Sequence, residues 1–417
     1  MFGRRDTEVL VAGAGPVGLY AGLLLSERGI RVQIVDEQFR STTRSYALAL
    51  HPRSLELFDE VGLTAELIAA GRKVDAVTFF GGGKKQVEVR YADLKTRYPF
   101  LLVLPQSALE AALERRLSEK KVEIDWSHRV AELDLQADSA TATVQKLAKE
   151  SVGYAISHTE WMVEREFTTR AAFVIGADGY QSRVRRELGI PFEAVAAPQF
   201  FAVFELSADK PAPHELQVVL DERTSVVWPL AGNRYRWSFE IGESEAAETA
   251  REKSRLVVVL GQHSFNYLDP TMLRRLLGER APWFEPNPTE LAWSLAARFE
   301  RRVASELGRG SAWLAGDSAH LSPPMGVQSM NSGFWEAREL CERMVASLRQ
   351  GGRRDELARF AGEWSRAWQR LQSPAAVTAG PKATSWVRAN AGRIFDSLPA
   401  SGDHLQALLA QLDLSLG

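Results

Sequence analysis

One cysteine, Cys341, stands among 417 residues, so the chain can form no internal disulfide, and a reducing, cytoplasmic setting is expected. An excess of charge is also missing: 51 Lys and Arg against 53 Asp and Glu leave −2, and no five like charges adjoin. Nucleic acid needs a clustered basic surface, so it is not an expected partner. The seven histidines (His51, His128, His158, His214, His263, His320, His404) are scattered and, with one cysteine, give no ligand spacing; no metal is expected. There is no G-x-S-x-G elbow to support a serine hydrolase, no internal repeat and no low-complexity tract. The 31 Gly and 18 Pro are ordinary numbers that exclude collagen-like and disordered chains. The uncharged run Val9–Ser26 holds Gly13, Gly15, Gly18, Gly22 and Pro16. Such a run suits a strand, a tight turn and a helix better than one membrane-crossing helix, so no stable membrane insertion is expected.

What remains is an ordinary soluble composition, 45% apolar and 25% charged, long enough for two or three domains. The N-terminus reads as strand Glu8–Ala12, glycine turn, helix Pro16–Arg28 and strand Arg31–Val35, the length of a βαβ unit. A helix is expected over Pro52–Val61, a hairpin over Val74–Tyr91 around Gly81-Gly82-Gly83, and a helix over Gln106–Lys120 with Leu109, Leu113 and Leu117 every fourth residue. Phe173–Gly176 and Ala312–Ala315 read as buried strands, and Ser332–Arg349 as a long helix. Residues 192–240 are strand-like, 246–280 helical, and 353–417 mostly helical. The expected fold class is α/β. A Rossmann-like nucleotide-binding domain (1–75, 100–185, 285–350) is interrupted by a largely antiparallel sheet domain (76–99, 186–284) and followed by C-terminal helices (351–417).

Gly13-Ala14-Gly15-Pro16-Val17-Gly18 is G-x-G-x-x-G between strand and helix. Gly13 permits the tight turn, Gly15 lets the backbone approach a diphosphate, and Gly18 lets the helix pack on the strand. The free N–H groups of the helix N-terminus then face the phosphates. Asp36 lies 18 residues past Gly18, where a carboxylate can accept both ribose hydroxyls and disfavours a 2′-phosphate. This loop alone does not choose between FAD and a nicotinamide dinucleotide.

Two later segments narrow the choice. They are Gly176-Ala177-Asp178-Gly179-Tyr180-Gln181-Ser182-Arg183-Val184-Arg185 and Gly316-Asp317-Ser318-Ala319-His320-Leu321-Ser322-Pro323-Pro324-Met325-Gly326-Val327-Gln328-Ser329-Met330-Asn331-Ser332-Gly333. With the N-terminal loop, Arg44, Arg53-Ser54-Leu55-Glu56 and Pro105-Gln106, they resemble the fingerprints of the single-component (group A) flavoprotein aromatic hydroxylases, the para-hydroxybenzoate hydroxylase family. The resemblance spans roughly residues 5–345. The thioredoxin-like C-terminal domain of larger members is not expected here.

The resemblance implies FAD as cofactor, NADPH or NADH as reductant, and O2 and a small aromatic molecule as partners, on a monomer or homodimer. A flavin C4a-hydroperoxide would pass one oxygen to a phenolic or polycyclic substrate. Baeyer–Villiger, epoxidising or drug-inactivating oxygenation on the same scaffold is the alternative. A halogenase is less favoured, since Trp228-Pro229-Leu230 matches its tryptophan motif only superficially, and a flavin-binding sensor is the non-enzymatic alternative. The implied cofactor residues are Gly13, Gly15, Pro16, Val17, Gly18, Asp36, Glu37, Arg44, Arg53, Gln106, Asp178, Gly316, Asp317, Pro324, Gly326, Val327, Gln328, Ser329, Met330 and Asn331. The helix after the Pro-Pro-x-Gly loop would aim its positive end at the flavin N1–C2=O edge, where reduced flavin carries negative charge. Val327 and Ser329 depart from the family pattern, which often has Gly there; a Val beside the ring would crowd it.

No catalytic side chain is identified. His320 reads as a structural hydrogen-bonder, Cys341 as a buried small residue, and Lys84 and Lys85 as a solvated hairpin tip. In Arg234–Glu240 the strict alternation puts Tyr235, Trp237 and Phe239 on one face of a strand. That face is either core or, as in the family's sheet, part of the substrate wall.

Overall fold

A computed structural model describes residues 4–40, 49–152, 158–251, 257–260, 263–266, 268–351 and 355–416. Its centre is a six-stranded sheet in the order Gly308–Arg309, Ala312–Leu314, Phe173–Gly176, Val9–Ala12, Val32–Asp36, Ile124–Trp126. All neighbours run parallel except the first pair. Val9, Leu10, Val11, Phe173, Val174 and Ile175 are fully buried. Both faces of these strands are therefore covered, which is why they read as unbroken apolar runs.

One face carries the helices Pro16–Glu27, Gln106–Glu119 and Gln328–Gln350. Tyr20, Phe58 and Phe334 meet edge-to-face with ring centroids 5.0–5.6 Å apart, joining the first helix, Pro52–Glu60 and the long helix. Each such pair is worth about 0.5–1.5 kcal/mol beyond its buried area. Cys341 is buried in the same cluster, and burial pushes its thiol pKa well up, as an inert core residue requires. The other face is covered by an antiparallel meander, His128–Leu135, Ala140–Val152 and His158–Ala171.

A seven-stranded sheet lies beside this body, in the order Pro288–Phe299, Gln199–Ala208, Arg234–Ile241, Thr224–Pro229, Glu215–Leu220, Ala76–Gly81, Lys84–Arg90. It is antiparallel except where Glu215–Leu220 pairs with Ala76–Gly81. Strand Pro288–Phe299 belongs to this sheet rather than to the nucleotide-binding part, so the chain returns to the parallel sheet later than residue 285. The 246–280 stretch is not helical throughout: between Glu243–Arg251 and Pro270–Arg280 run two paired strands, Val257–Leu260 and His263–Asn266.

The tail forms helices Asp355–Leu371, Ser385–Ser397 and Gly402–Ala410. The last two bury Val387, Ile394, Phe395, Leu405, Leu408 and Leu409 against the large sheet. Among the described residues no helix is long and apolar enough to cross a membrane.

Candidate functional site: a two-chambered cleft at the strand ends

Strand register brings the three fingerprints together. Gly176 pairs with Ala12 on one side and with Leu314 on the other, so the three central strands end level. Gly13, Ala177 and Gly316 therefore leave the sheet side by side. In an open parallel sheet this is where ligands bind.

The glycines divide the work. Gly13 sits at φ +105°, and a Cβ there would stand 2.1 Å from the Ala177 carbonyl oxygen. A Cβ on Gly18 would stand 2.0 Å from the Gly13 carbonyl oxygen. Both are demanded by the fold. A Cβ on Gly15 meets nothing within 4 Å, because Gly15 faces open space at the start of the first helix. Pro16 fills N1, and no side chain caps that helix. Asp36 braces the loop from below, accepting from the backbone N–H of Ala14 (2.6 Å) and Gln38 (2.7 Å). A carboxylate has about four acceptor positions, so two remain for a ligand. Burial pushes its pKa up, against those two hydrogen bonds.

Two cavities meet at this loop. The larger, about 710 Å³, is lined by Gly15, Pro16, Val17, Gln106, Tyr180, Ala297–Glu300, Asp317, Leu321–Pro324, Val327, Ser329 and Met330. The smaller, about 350 Å³, is lined by Gly13, Gly15, Asp36, Glu37, Gln38, His128–Val130, Leu147, Trp161, Asp178, Gln181, Arg183 and Arg186. They share Gly15, Ala177 and Gly179, which makes them one trough with the glycine loop at its waist.

The floor of the larger cavity is the 316–331 segment. Asp317 opens into the cavity yet is hemmed in by protein, which pushes its pKa up; the Ser329 hydroxyl donates to it at 2.5 Å and opposes the shift. His320 is fully buried, its Nε2 2.8 Å from Glu336 and its ring stacked on Trp368 at 3.5 Å. Glu336 also accepts the Gly316 N–H at 2.9 Å, so this buried pair fixes the turn that carries Asp317. His320 lies outside the cavity lining, in the structural role its sequence suggested.

The long helix starts at Gln328, four residues earlier than Ser332. No Ser, Thr, Asp or Asn announces that start: the N-cap is Val327, at φ +48° and ψ +36°. A β-branched residue in this left-handed region costs about 1–2 kcal/mol. Val327 thus keeps the backbone a glycine would adopt while its side chain lines the cavity. No side chain caps the helix, so its first-turn N–H groups, which no intrahelical carbonyl can reach, stand at the cavity wall beside Ser329 and Met330.

Several expected residues act as braces. Asn331 is fully buried: its Oδ1 accepts from the His51 N–H and the Ser54 hydroxyl, and its Nδ2 donates to Ala49 and Val327 carbonyls. Gln328 donates to the Ala400 carbonyl at 2.6 Å, and Tyr91 donates to Pro399 at 2.8 Å, so residues 398–401 clasp the helix start. A Cβ on Gly326 would stand 2.9 Å from the Asp396 carbonyl oxygen; Asp396 is itself ion-paired to Arg301 at 2.6 Å. The Gly326 carbonyl accepts from His51 Nε2 at 2.9 Å. Asp178 caps the short helix Arg183–Glu187, accepting from the N–H groups of Arg183 and Val184 and from Ser182. Glu37 pairs with Arg183 at 3.8 Å on the rim of the smaller cavity. Arg53 lines neither cavity; it stacks on Trp335 at 3.8 Å, against Gly402. Arg44 lies outside the described residues.

Tyr235, Trp237 and Phe239 do not line the trough. Their cross-strand partners Leu206, Phe204 and Ala202 share the sheet face turned to the helices Glu243–Arg251 and Pro270–Arg280. All three are at most 1% exposed, and Trp237 stacks on Phe239 at 4.9 Å. The substrate-wall reading is corrected: this face is core. The sheet meets the larger cavity instead at the end of strand Pro288–Phe299, where Ala297 and Phe299 share the opposite face with Phe201. The alternation in Trp293-Ser294-Leu295-Ala296-Ala297-Arg298-Phe299 was the available signal.

A trough with open space before Gly15 where its two chambers meet suits a dinucleotide, and the residues present fit FAD. The profile of the family described as "FAD binding domain" matches residues 6–373. The chain belongs to the FAD-binding domain family. As a member it takes FAD as its cofactor. It is 30% identical over 365 residues to a 6-methylpretetramide 4-monooxygenase of Streptomyces rimosus, covering 85% of this chain and 58% of that protein. The chain spans little more than half the length of that relative. The crystal structure of a p-nitrophenol 4-monooxygenase from Pseudomonas putida superposes with a TM-score of 0.70 at 22% identity, covering 98% of this chain and 97% of that one. An aklavinone-11 hydroxylase in complex with FAD and aklavinone gives 0.70 at 19% identity, with 97% and 73% covered. At these identities the two structures speak for the fold.

Proposed function

We propose that this protein is an FAD-dependent, NAD(P)H-consuming monooxygenase that places one oxygen atom of O2 on a phenolic or polycyclic aromatic molecule. The carrying observation is the trough itself: two chambers joined at Gly15. Gly15 would hold the diphosphate, the smaller chamber the adenosine half and the larger chamber the flavin ring. When bound, FAD supplies the redox chemistry, taking reducing equivalents from NAD(P)H and activating O2.

The chain's own residues do the rest. Asp317 and Asp36 offer acceptors to the hydroxyls of the ribityl chain and the ribose. The uncapped first turn of the helix that begins at Gln328 would offer N–H groups to the ring's carbonyl edge, where reduction adds negative charge. Leu321, Pro323, Pro324, Phe299 and Ala297 form a largely apolar wall that keeps water from the reacting face. At about 710 Å³ the larger chamber has room for a flat aromatic beside the ring.

The relatives' names supply the probes. Protein reconstituted with FAD is mixed with NADPH or NADH and 4-nitrophenol, or with a polycyclic phenol, under ¹⁸O2. Substrate-stimulated oxidation of the nicotinamide with one ¹⁸O in the product supports the reading. Failure to take up FAD, or reductant oxidation with H2O2 alone across phenolic and polycyclic probes, overturns it.

A further inference from the structure

The smaller chamber has a wall that the fingerprints do not account for. One side is polar, formed by Asp36, Glu37 and Gln38 after the second strand. The antiparallel meander contributes His128 and Arg129 together with the apolar Val130, Leu147 and Trp161. Trp161 stands on the returning strand of a long arm, Ala140–Val152 with His158–Ala171. It is 41% exposed, and its neighbours Met162 and Val163 are exposed as well. Of these three, Trp161 alone lines the chamber. The base of the arm is tied to the polar side through the backbone. The Ser127 N–H donates to the Gln38 carbonyl, and the Leu147 N–H donates to the Ser127 carbonyl, both at 2.7 Å. The base of the arm that carries Trp161 is therefore tied to the segment that follows Asp36.

A slot with one polar edge and an aromatic wall fits a purine: the ring faces need apolar contact, while its sugar needs hydrogen-bond partners. We propose that Trp161 is the adenine clamp of this protein, covering one face of the adenine of FAD while Asp36 holds the adjoining ribose. The inference rests on the placement of adenosine in the smaller chamber. It assigns to an exposed arm a share of cofactor retention. Stacking of a base on an aromatic side chain is worth a loss of about tenfold or more in affinity when the ring is removed.

The test uses full-length apoprotein titrated with FAD, FMN and ADP, followed by flavin and tryptophan fluorescence, with the wild type beside Trp161→Ala and Trp161→Phe. Trp161→Ala should bind FAD and ADP about tenfold or more weakly and leave FMN unchanged, since FMN has no adenine. Trp161→Phe should recover most of the loss, and the apoprotein melting temperature should not move. Equal FAD affinity in Trp161→Ala and wild type overturns the clamp while leaving the flavin reading intact. An unchanged FAD affinity with a raised KM for NADPH also overturns it, because the adenine covered would then belong to the reductant. A wild type that binds no FAD removes the flavin reading, and the clamp with it.

Discussion

Substituting Gly13 and Gly15, two residues apart in one loop, should produce opposite defects. Gly13→Ala places a methyl 2.1 Å from the Ala177 carbonyl oxygen and 2.8 Å from the Asp178 nitrogen, and does so at φ +105°. Backbone on backbone cannot yield as a side chain can. The left-handed conformation costs about 1–2 kcal/mol, and the overpacking adds about 1–3 kcal/mol. The apoprotein should therefore lose about 2–5 kcal/mol. Gly15 has φ −74° and open space before it, so Ala fits there without strain. The lower entropy of the unfolded chain favours Ala by about 0.4–1 kcal/mol, and the weaker N-cap preference of Ala offsets about as much. Gly15→Ala should leave apoprotein stability within about 1 kcal/mol of wild type. The proposed placement puts the diphosphate in that open space, so Gly15→Ala should weaken FAD about tenfold or more, and Gly15→Val should abolish retention. Urea unfolding of apoprotein and flavin-fluorescence titration separate the two effects. Normal FAD affinity in Gly15→Val, or an equal stability loss in both variants, refutes the division of labour.

Acid sensitivity should trace in part to His51. Burial pushes its pKa from 6.5 down to about 3. The unfolded chain takes a proton that the folded one refuses, so this contribution is full above about pH 6.5 and is lost as pH falls toward 3. Between pH 7.5 and 5.5 it removes about 1.4 kcal/mol, and His51→Gln should lack that part of the decline; parallel unfolding curves for the two proteins would disprove it. Trp237→Ala should cost about 3–5 kcal/mol of stability with FAD and substrate affinities unchanged in the protein that folds, as calorimetric melting and titration can show. Loss of substrate binding at unaltered stability would restore the substrate-wall role to that face.

The parts of the molecule most legible in sequence were those fixed locally. Val9–Ala12 and Phe173–Gly176 announce themselves because both faces are buried and a glycine ends each. The convergence of the three glycine segments followed from parallel register, which places strand ends level. Alternation in Arg234–Ile241 defined two faces but could not say which one met the cleft, since period two carries no sign. The start of the long helix was hidden because Val327 is a poor N-cap by every local rule and is held by its surroundings. Trp161 was hidden for another reason: an exposed aromatic on a hairpin acquires meaning only when the chain folds it over a distant loop. Arg53 matched a motif, yet Trp335 and Gly402 hold it away from both cavities.

The grip of residues 396–401 on the Gly326–Gln328 turn changes what the last sixty residues are for. Gly351 closes the long helix and, judged from sequence, marks a natural place to cut. A protein shortened there keeps every glycine fingerprint but loses Gln328's acceptor at Ala400 and the apolar lid over the large sheet. The tail works as a buckle on the floor of the larger chamber, and shortened forms should be sought only by trimming loops that leave the buckle fastened.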